Sequence, residues 1–323
     1  MKVVFFTEEF KPKFPLKNGH ISTVWATLFR KHEILYSRER IPTTDQDFLD
    51  LDWIKNGNSK LLIIGHGLEG SSSSTYMIGL ANYAQQHNYD IVAINWRGCS
   101  GEPNLLLSSY HTGKSEDLDT VVNHITSSYD YPEIYLSGFS MGGNICLKYA
   151  GEKGASIPHQ VKGIVAISVP VDLESSSYQL AKPQNNLYMF RFLRTLKKKY
   201  LQKLESFPDS NLNTAEILKS KSFLDFDEHF TAPVNGFKNA VDYWTKASSK
   251  PHLSNIKIPT LLINALNDPF LAPDCFPYEE SKHNDNFHLI TPKYGGHVGF
   301  IENPIKLKTT WTEKKIIQFF SEI

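Results

Sequence analysis

Six short runs of almost unbroken apolar residues constrain the fold of this 323-residue chain more than any other feature: "LLII" (61–64), "DIVAINW" (90–96), "EIYLSG" (133–138), "GIVAIS" (163–168), "TLLINAL" (260–266) and "FHLI" (287–290). A strand with one wet face alternates polar and apolar residues. These runs do not alternate, so both of their faces must be covered, as in a parallel sheet flanked by helices. Amphipathic stretches suited to helices lie between them at 76–87, 115–127 and 141–152, and another follows near 305–320. Strand alternating with helix predicts a doubly wound α/β domain with a mostly parallel central sheet. Upstream, "EILYSRERIP" and "DFLDLDW" do alternate, which predicts a leading antiparallel pair exposed on one face.

One interval breaks the rhythm. Between the fourth and fifth runs there is no strand of the core type. Instead, "LYMFRFLRTLKKKYLQKL" (187–204) sets Met189, Phe190, Leu193, Leu196, Tyr200 and Leu204 along one helical stripe. Residues 170–255 therefore read as a helical insertion, with 1–169 and 256–323 forming the sheet domain. The stripe suits a cap helix packed over that domain. Its basic opposite face, with Arg191, Arg194 and Lys197–Lys199, also suits a helix lying on a membrane surface.

The chemistry centres on "GFSMGG" (138–143), placed where the third run ends and a helical pattern begins. Gly138, Gly142 and Gly143 leave room for a tight strand-to-helix turn that exposes the Ser140 hydroxyl at the carboxyl edge of the sheet. The same turn puts the Met141 amide at a helix start, where the dipole favours a developing oxyanion. A serine is a poor nucleophile without a base, and the base needs an orienting acid. Both are expected later in the chain, acid before histidine. The fifth run leads into "NALNDPF", which places Asp268 at a strand end; the last leads into "TPKYGGHVGF", which places His297 on a glycine-flanked loop.

Rival residues exist for each role. Asp172 follows the fourth run and could be the acid. His66 is the best alternative base but sits before a glycine-rich turn, while His20, His111 and His229 suit structural or surface positions. Asp47, Asp50 and Asp52 resemble a metal cluster, yet alternation sets Asp50 and Asp52 opposite Leu49, Leu51 and Trp53, which suggests a solvated face. No metal is implied. Cys99 in "RGCSG" has no histidine beside it and reads as a packed thiol. A second oxyanion donor, the Leu68 amide, is expected from "HGLEG" (66–70), with His66, Gly67 and Phe139 touching substrate.

Composition narrows the alternatives. Lys+Arg and Asp+Glu both number 34, so no net field draws the chain to nucleic acid. Three scattered cysteines are too few for a disulfide framework and fit a reducing compartment. The opening "MKVVFFTEEFKPKF" has too short an apolar run for a secretory leader, and no later window is long enough for a membrane span. The expectation is a soluble cytoplasmic protein.

Taken together, "HGLEGS", "NWRGCSGEPN", "YHTGKSEDL", "GFSMGGN", "FDEHFTAP" followed by "GF", "DYW", "NDP" and "GGHVGF" resemble the YheT-like branch of the α/β-hydrolases, as do "NGHISTVW" and "DFLDLDW". The resemblance spans nearly the whole chain. It implies the α/β-hydrolase fold with a helical cap, nucleophile Ser140, acid Asp268 and base His297. It further implies an esterase or lipid-directed acyl hydrolase acting on a small-molecule ester, with no metal or organic cofactor and no obligate protein partner. Transient contact with a lipid surface fits the same reading. An acyltransferase using an alcohol acceptor and a non-catalytic ligand-binding member are the alternatives. Asn267 departs from the family, which commonly has aspartate beside the acid, and a counterpart of the membrane-anchoring segment of the animal relatives is not expected.

Overall fold

The computed structural model describes residues 9–323, so the apolar run at 3–6 lies outside the described residues. Eight strands form one sheet in the order β1-β2-β4-β3-β5-β6-β7-β8. These are β1 (Ser37–Pro42), β2 (Phe48–Ile54), β3 (Lys60–Gly65), β4 (Tyr89–Asn95), β5 (Glu133–Phe139), β6 (Val161–Ile167), β7 (Thr260–Ile263) and β8 (Phe287–Ile290). β1 and β2 pair antiparallel, and β2 joins β4 antiparallel; every pairing from β4 through β8 is parallel. The expected antiparallel leader and parallel body are both present.

Strand alternation explains why the runs are apolar throughout. Leu61, Ile63, Leu136 and Ile164 point to one face, where α3 (Ser115–Ser128) and α4 (Met141–Lys153) cover them. Leu62, Ile64, Val165 and Ile263 point to the other, under α2 (Thr75–Gln85) and α12 (Trp311–Ser321). Burying each such side chain is worth about 1.5–3 kcal/mol over leaving it in water. The last helix starts at Trp311, later than the predicted 305, because Thr310 and Glu313 form a capping box there. Glu313 also takes a bidentate pair from Arg30, at 2.6 and 2.7 Å, which fastens α1 (Gly19–Phe29) to α12.

Between β6 and β7 the described residues form helices and no strand: α5 (Leu173–Leu180), α6 (Asn186–Ser206), α7 (Thr214–Lys219), α8 (Phe223–Phe226), a π-helical turn over Asp227–Thr231, α9 (Ala232–Val234) and α10 (Ala240–Ala247). The remaining short helix, α11 (Tyr278–His283), precedes β8. The helices after β6 share their own apolar cluster, which includes Leu193, Tyr200, Phe226 and Trp244. In α6, Met189, Leu193 and Tyr200 are buried as the stripe requires, but Phe190 is 64% exposed. One residue step turns a helix by about 100°, and that carries Phe190 off the buried face. The basic residues are only partly free: Lys197 Nζ donates to the carbonyls of Leu218 and Ser220, and buried Lys203 donates to those of Asn104 and Leu106. α6 thus packs as a cap helix. No helix among the described residues is long and apolar enough to cross a membrane.

The solvated face expected for Asp47, Asp50 and Asp52 is a correction. All three are buried, 1–3% exposed. Arg40 binds Asp50 and Arg38 binds Asp52 through paired hydrogen bonds of 2.7 and 2.8 Å, and Arg97 reaches Asp47 at 3.2 Å. β1 supplies the first two arginines directly across the register, Arg38 opposite Asp52 and Arg40 opposite Asp50. Burial alone would raise the Asp52 pKa. Hydrogen bonds from Arg38, Ser72 and Asn95 outweigh it and hold the group below its ordinary value. Among the described residues no group of three or more His, Cys, Asp and Glu is arranged to hold a metal ion.

Candidate active site

Ser140 stands between β5 and α4 with φ +52° and ψ −118°. A non-glycine residue in such a conformation costs about 1–3 kcal/mol, so the surroundings must enforce it. They do: the Ser140 N–H donates to Ile167 O at 2.8 Å, and the Ser140 carbonyl accepts from Asn144 N at 3.0 Å. Gly142 makes the turn possible, because a Cβ there would collide with the Gly65 carbonyl and come within 2.6 Å of His66 O. Backbone cannot yield as a flexible side chain can. We expect Gly142→Ala to lower the unfolding free energy by about 1–3 kcal/mol, as overpacking does, measured by urea denaturation.

His297 reaches the serine from the loop after β8. Its Nε2 lies 2.9 Å from Ser140 Oγ, and its Nδ1 lies 2.9 Å from Asp268 Oδ2. Asp268 follows β7; its other oxygen accepts from Phe270 N at 2.9 Å, and its side chain is fully shielded from solvent. With Nδ1–H donating to the carboxylate, Nε2 is left to accept the serine proton. The Phe270 ring lies 4.1 Å from the imidazole, centroid to centroid, which limits how far that ring can turn.

Residues given no part in the site by the sequence reading hold this loop. The His297 N–H donates to Thr23 Oγ1 at 2.8 Å, Val298 N donates to Ser168 Oγ at 2.9 Å, and Ser22 Oγ donates to Gly295 O at 2.8 Å. Gly296 has φ +60° and passes so close to α1 that a Cβ would lie 2.5 Å from Gly19 O. Asn267, the family departure, accepts from Gly296 N at 3.0 Å and donates to Lys17 O at 3.0 Å. It thereby ties the acid's turn to the histidine's loop. The "NGHISTVW" segment at the start of α1 was the available signal for the Ser22 and Thr23 contacts.

The serine opens into a cleft of about 980 Å³, open mouth included, between the sheet edge and the cap. Leu68 and Met141, whose amides were expected to hold an oxyanion, line it together with Ser140 and His297. Its walls are mostly apolar cap side chains, among them Leu180, Phe192, Phe226 and Trp244. Glu69 and Lys199 face each other across it in a 2.8 Å ion pair, which pins α6 to the Leu68 loop.

The other candidates fall elsewhere. His66, Gly67 and Phe139 were expected to touch substrate, but none of them lines the cleft. His66 is fully buried: Nδ1 meets Gly67 O at 2.7 Å, and Nε2 accepts from Trp96 N at 3.2 Å. Burial pushes its pKa down to about 3, which keeps it a neutral brace. Phe139 turns back into the core against Tyr76, and Gly67 packs beneath the Ser140 side chain. Asp172 caps α5, accepting from Ser175 N at 3.0 Å. His20 stacks on Tyr188, and His111, expected to be structural or at the surface, forms part of the cleft wall. Cys99 is buried under Lys199, and burial pushes its thiol up to about 11, against any thiolate role.

Comparison with known proteins gives this architecture a family. The family model described as "alpha/beta hydrolase fold" matches residues 60–304. The chain belongs to the α/β-hydrolase family. "Putative esterase YheT" of Escherichia coli (strain K12) is 33% identical over 315 residues, covering 95% of this chain and 92% of that protein. "Phospholipase ABHD3" of Homo sapiens is 31% identical over 317 residues, covering 92% of this chain and 77% of its own. These matches place this α/β-hydrolase in the YheT-like branch. Among solved structures, the Pyrococcus furiosus esterase Pf2001 superposes with a TM-score of 0.58 at 20% identity, covering 89% of this chain and 92% of that one.

Proposed function

We propose that this α/β-hydrolase is a serine esterase that cleaves carboxylic esters through an acyl-enzyme on Ser140. The relatives named as esterases and phospholipases support ester hydrolysis as the activity, and the chain is a carboxylic ester hydrolase. The observation that carries the residue roles is the unbroken line Ser140 Oγ–His297–Asp268, with both contacts at 2.9 Å and the serine opening into an apolar cleft.

Ser140 Oγ attacks the ester carbonyl carbon while its proton passes to His297 Nε2. Asp268 fixes the imidazole tautomer and stabilises the imidazolium that forms. The amides of Met141 and Leu68 receive the oxyanion; one such donor is commonly worth about 3–4 kcal/mol in the transition state. Collapse of the intermediate expels the alcohol, which takes the proton from His297. Water then gives a proton to the same nitrogen, attacks the acyl carbon, and restores Ser140 as the carboxylic acid leaves. The residues 170–255 act as the cap that walls the substrate, and the apolar lining suits a hydrocarbon acyl chain.

A fluorophosphonate probe tests the reading together with p-nitrophenyl esters of increasing chain length. We expect covalent label on Ser140 as found by peptide mapping, and turnover that depends on chain length. A native protein that takes no label and hydrolyses none of the esters would rule the proposal out.

A further inference from the structure

Asp227 has no part in the mechanism above, yet it stands in the wall of the same cleft. It belongs to "FDEHFTAP", a segment the sequence singled out and the triad does not use. The segment is built unusually. Residues 227–231 form a π-helical turn, and such turns are rare and frequent at functional sites. The turn places Asp227 and Thr231 in the cleft wall, beside Phe226, Phe230 and Trp244.

The hydrogen bonding of Asp227 is sparse for a buried acid. Trp244 Nε1 donates to Oδ2 at 2.8 Å, and the Thr231 hydroxyl donates within the turn. A carboxylate has about four acceptor sites. Asp50, Asp52, Asp117 and Glu313 are each held by an arginine. Asp90 has no cation either, but four donors surround it, from Asn56 N, Asn58 N, Asn58 Nδ2 and the Tyr131 hydroxyl. Asp227 has neither compensation among the described residues.

Among the described residues, the rest of the cleft lining supplies no uncommitted cation. Lys199 is committed to Glu69 and Cys99, and burial holds His111 near 3 and hence neutral. Tyr243 is pushed upward, first by its own burial and then by the nearby Asp227 charge, and stays a neutral phenol. Burial without a counterion raises the Asp227 carboxyl to about 6. A buried acid facing a cleft in this state is incomplete until a donor enters.

We propose that Asp227 is a substrate-recognition residue: its carboxylate accepts a hydrogen bond from a hydroxyl or ammonium group carried by the ester, on the cap side of the cleft. This rests on the esterase reading and deepens it. The preferred substrates are esters with an apolar body and at least one polar donor, rather than pure hydrocarbon esters. The donor can sit on the alcohol portion, as in a glycerol monoester, or on the acyl chain, as in an ω-hydroxy or ω-amino acid ester.

Two matched pairs of esters test the inference on the full chain. The first compares glycerol monobutyrate with propyl butyrate. The second compares methyl hexanoate with its 6-hydroxy or its 6-amino derivative. We expect kcat/KM to favour the donor-bearing ester about ten- to a hundredfold in one pair, as a hydrogen bond to a charged group allows; which pair does so locates the donor. Asp227→Asn keeps an acceptor for Trp244 and removes the charge, and the preference should fall toward one. Equal kcat/KM within both pairs for the wild type overturns this inference while leaving the esterase intact, and needs no variant to fold. A preference undiminished in a folded Asp227→Asn also overturns it. Failure to hydrolyse any of these esters, with Ser140 unlabelled, overturns both readings.

Discussion

Ser140→Ala should abolish ester turnover and leave the protein folded. Removing Oγ deletes the atom proposed to bond the acyl carbon while His297 Nε2, 2.9 Å away, takes its proton. Loss of the nucleophile from comparable triads costs on the order of 10⁶-fold in kcat. What remains is the rate given by the oxyanion amides and by binding, roughly 10³–10⁴ above water. The fold should be indifferent. The side chain makes one hydrogen bond, to a neighbouring site residue, and the strained φ of +52° is imposed by β6, α4 and the Gly142 contact, none of which change. Purified variant and wild type should therefore melt within a few degrees of each other. Their p-nitrophenyl butyrate rates should differ by at least four orders of magnitude. A variant turning over at the wild-type rate would place the nucleophile elsewhere.

How much of this was legible in the sequence depends on the distance over which each feature is decided. The parallel sheet was legible because burial on both faces leaves a local record: Leu61–Ile64 must all be apolar when odd and even positions face different cores. The convergence of Ser140, Asp268 and His297 was legible for a related reason, since a strand end followed by a turn is visible locally and the topology brings such ends together. Side-chain direction was less legible. His66 and Phe139 neighbour the turns that build the cleft, and both point into the core, because adjacency along the chain does not set which way a side chain turns.

The burial of Asp50 and Asp52 was hidden for a further reason. Alternation gave their face correctly, but what covers that face comes from arginines on another strand. Thr23, Ser168 and Asn267, which hold the His297 loop, bond across long sequence separations to backbone amides. Backbone donors leave no pattern in residue types. Asp227 is intermediate: its segment stood out as a motif, but only the π-helical turn and the cleft give it a direction.

Two carboxylates follow neighbouring strands, and exchanging each for its amide should give opposite results. In Asp268→Asn the fold is expected to persist, since the amide oxygen can still accept from Phe270 N, now 2.9 Å from Oδ1. The amide NH₂ then replaces Oδ2, which lies 2.9 Å from His297 Nδ1. An amide nitrogen can only donate, so Nδ1 must accept, and the ring's proton moves to Nε2. That nitrogen then points a hydrogen at Ser140 Oγ and cannot take the serine's proton. The imidazolium also loses the carboxylate that stabilises it. The expected loss in kcat is about 10⁴-fold, the effect of the same exchange in other triads. Asp172→Asn should change kcat little. Asp172 caps α5 through Ser175 N, and asparagine is as good an N-cap as aspartate. Measured side by side on one ester, a crippled Asp172 variant beside a healthy Asp268 variant would reverse the assignment of the acid.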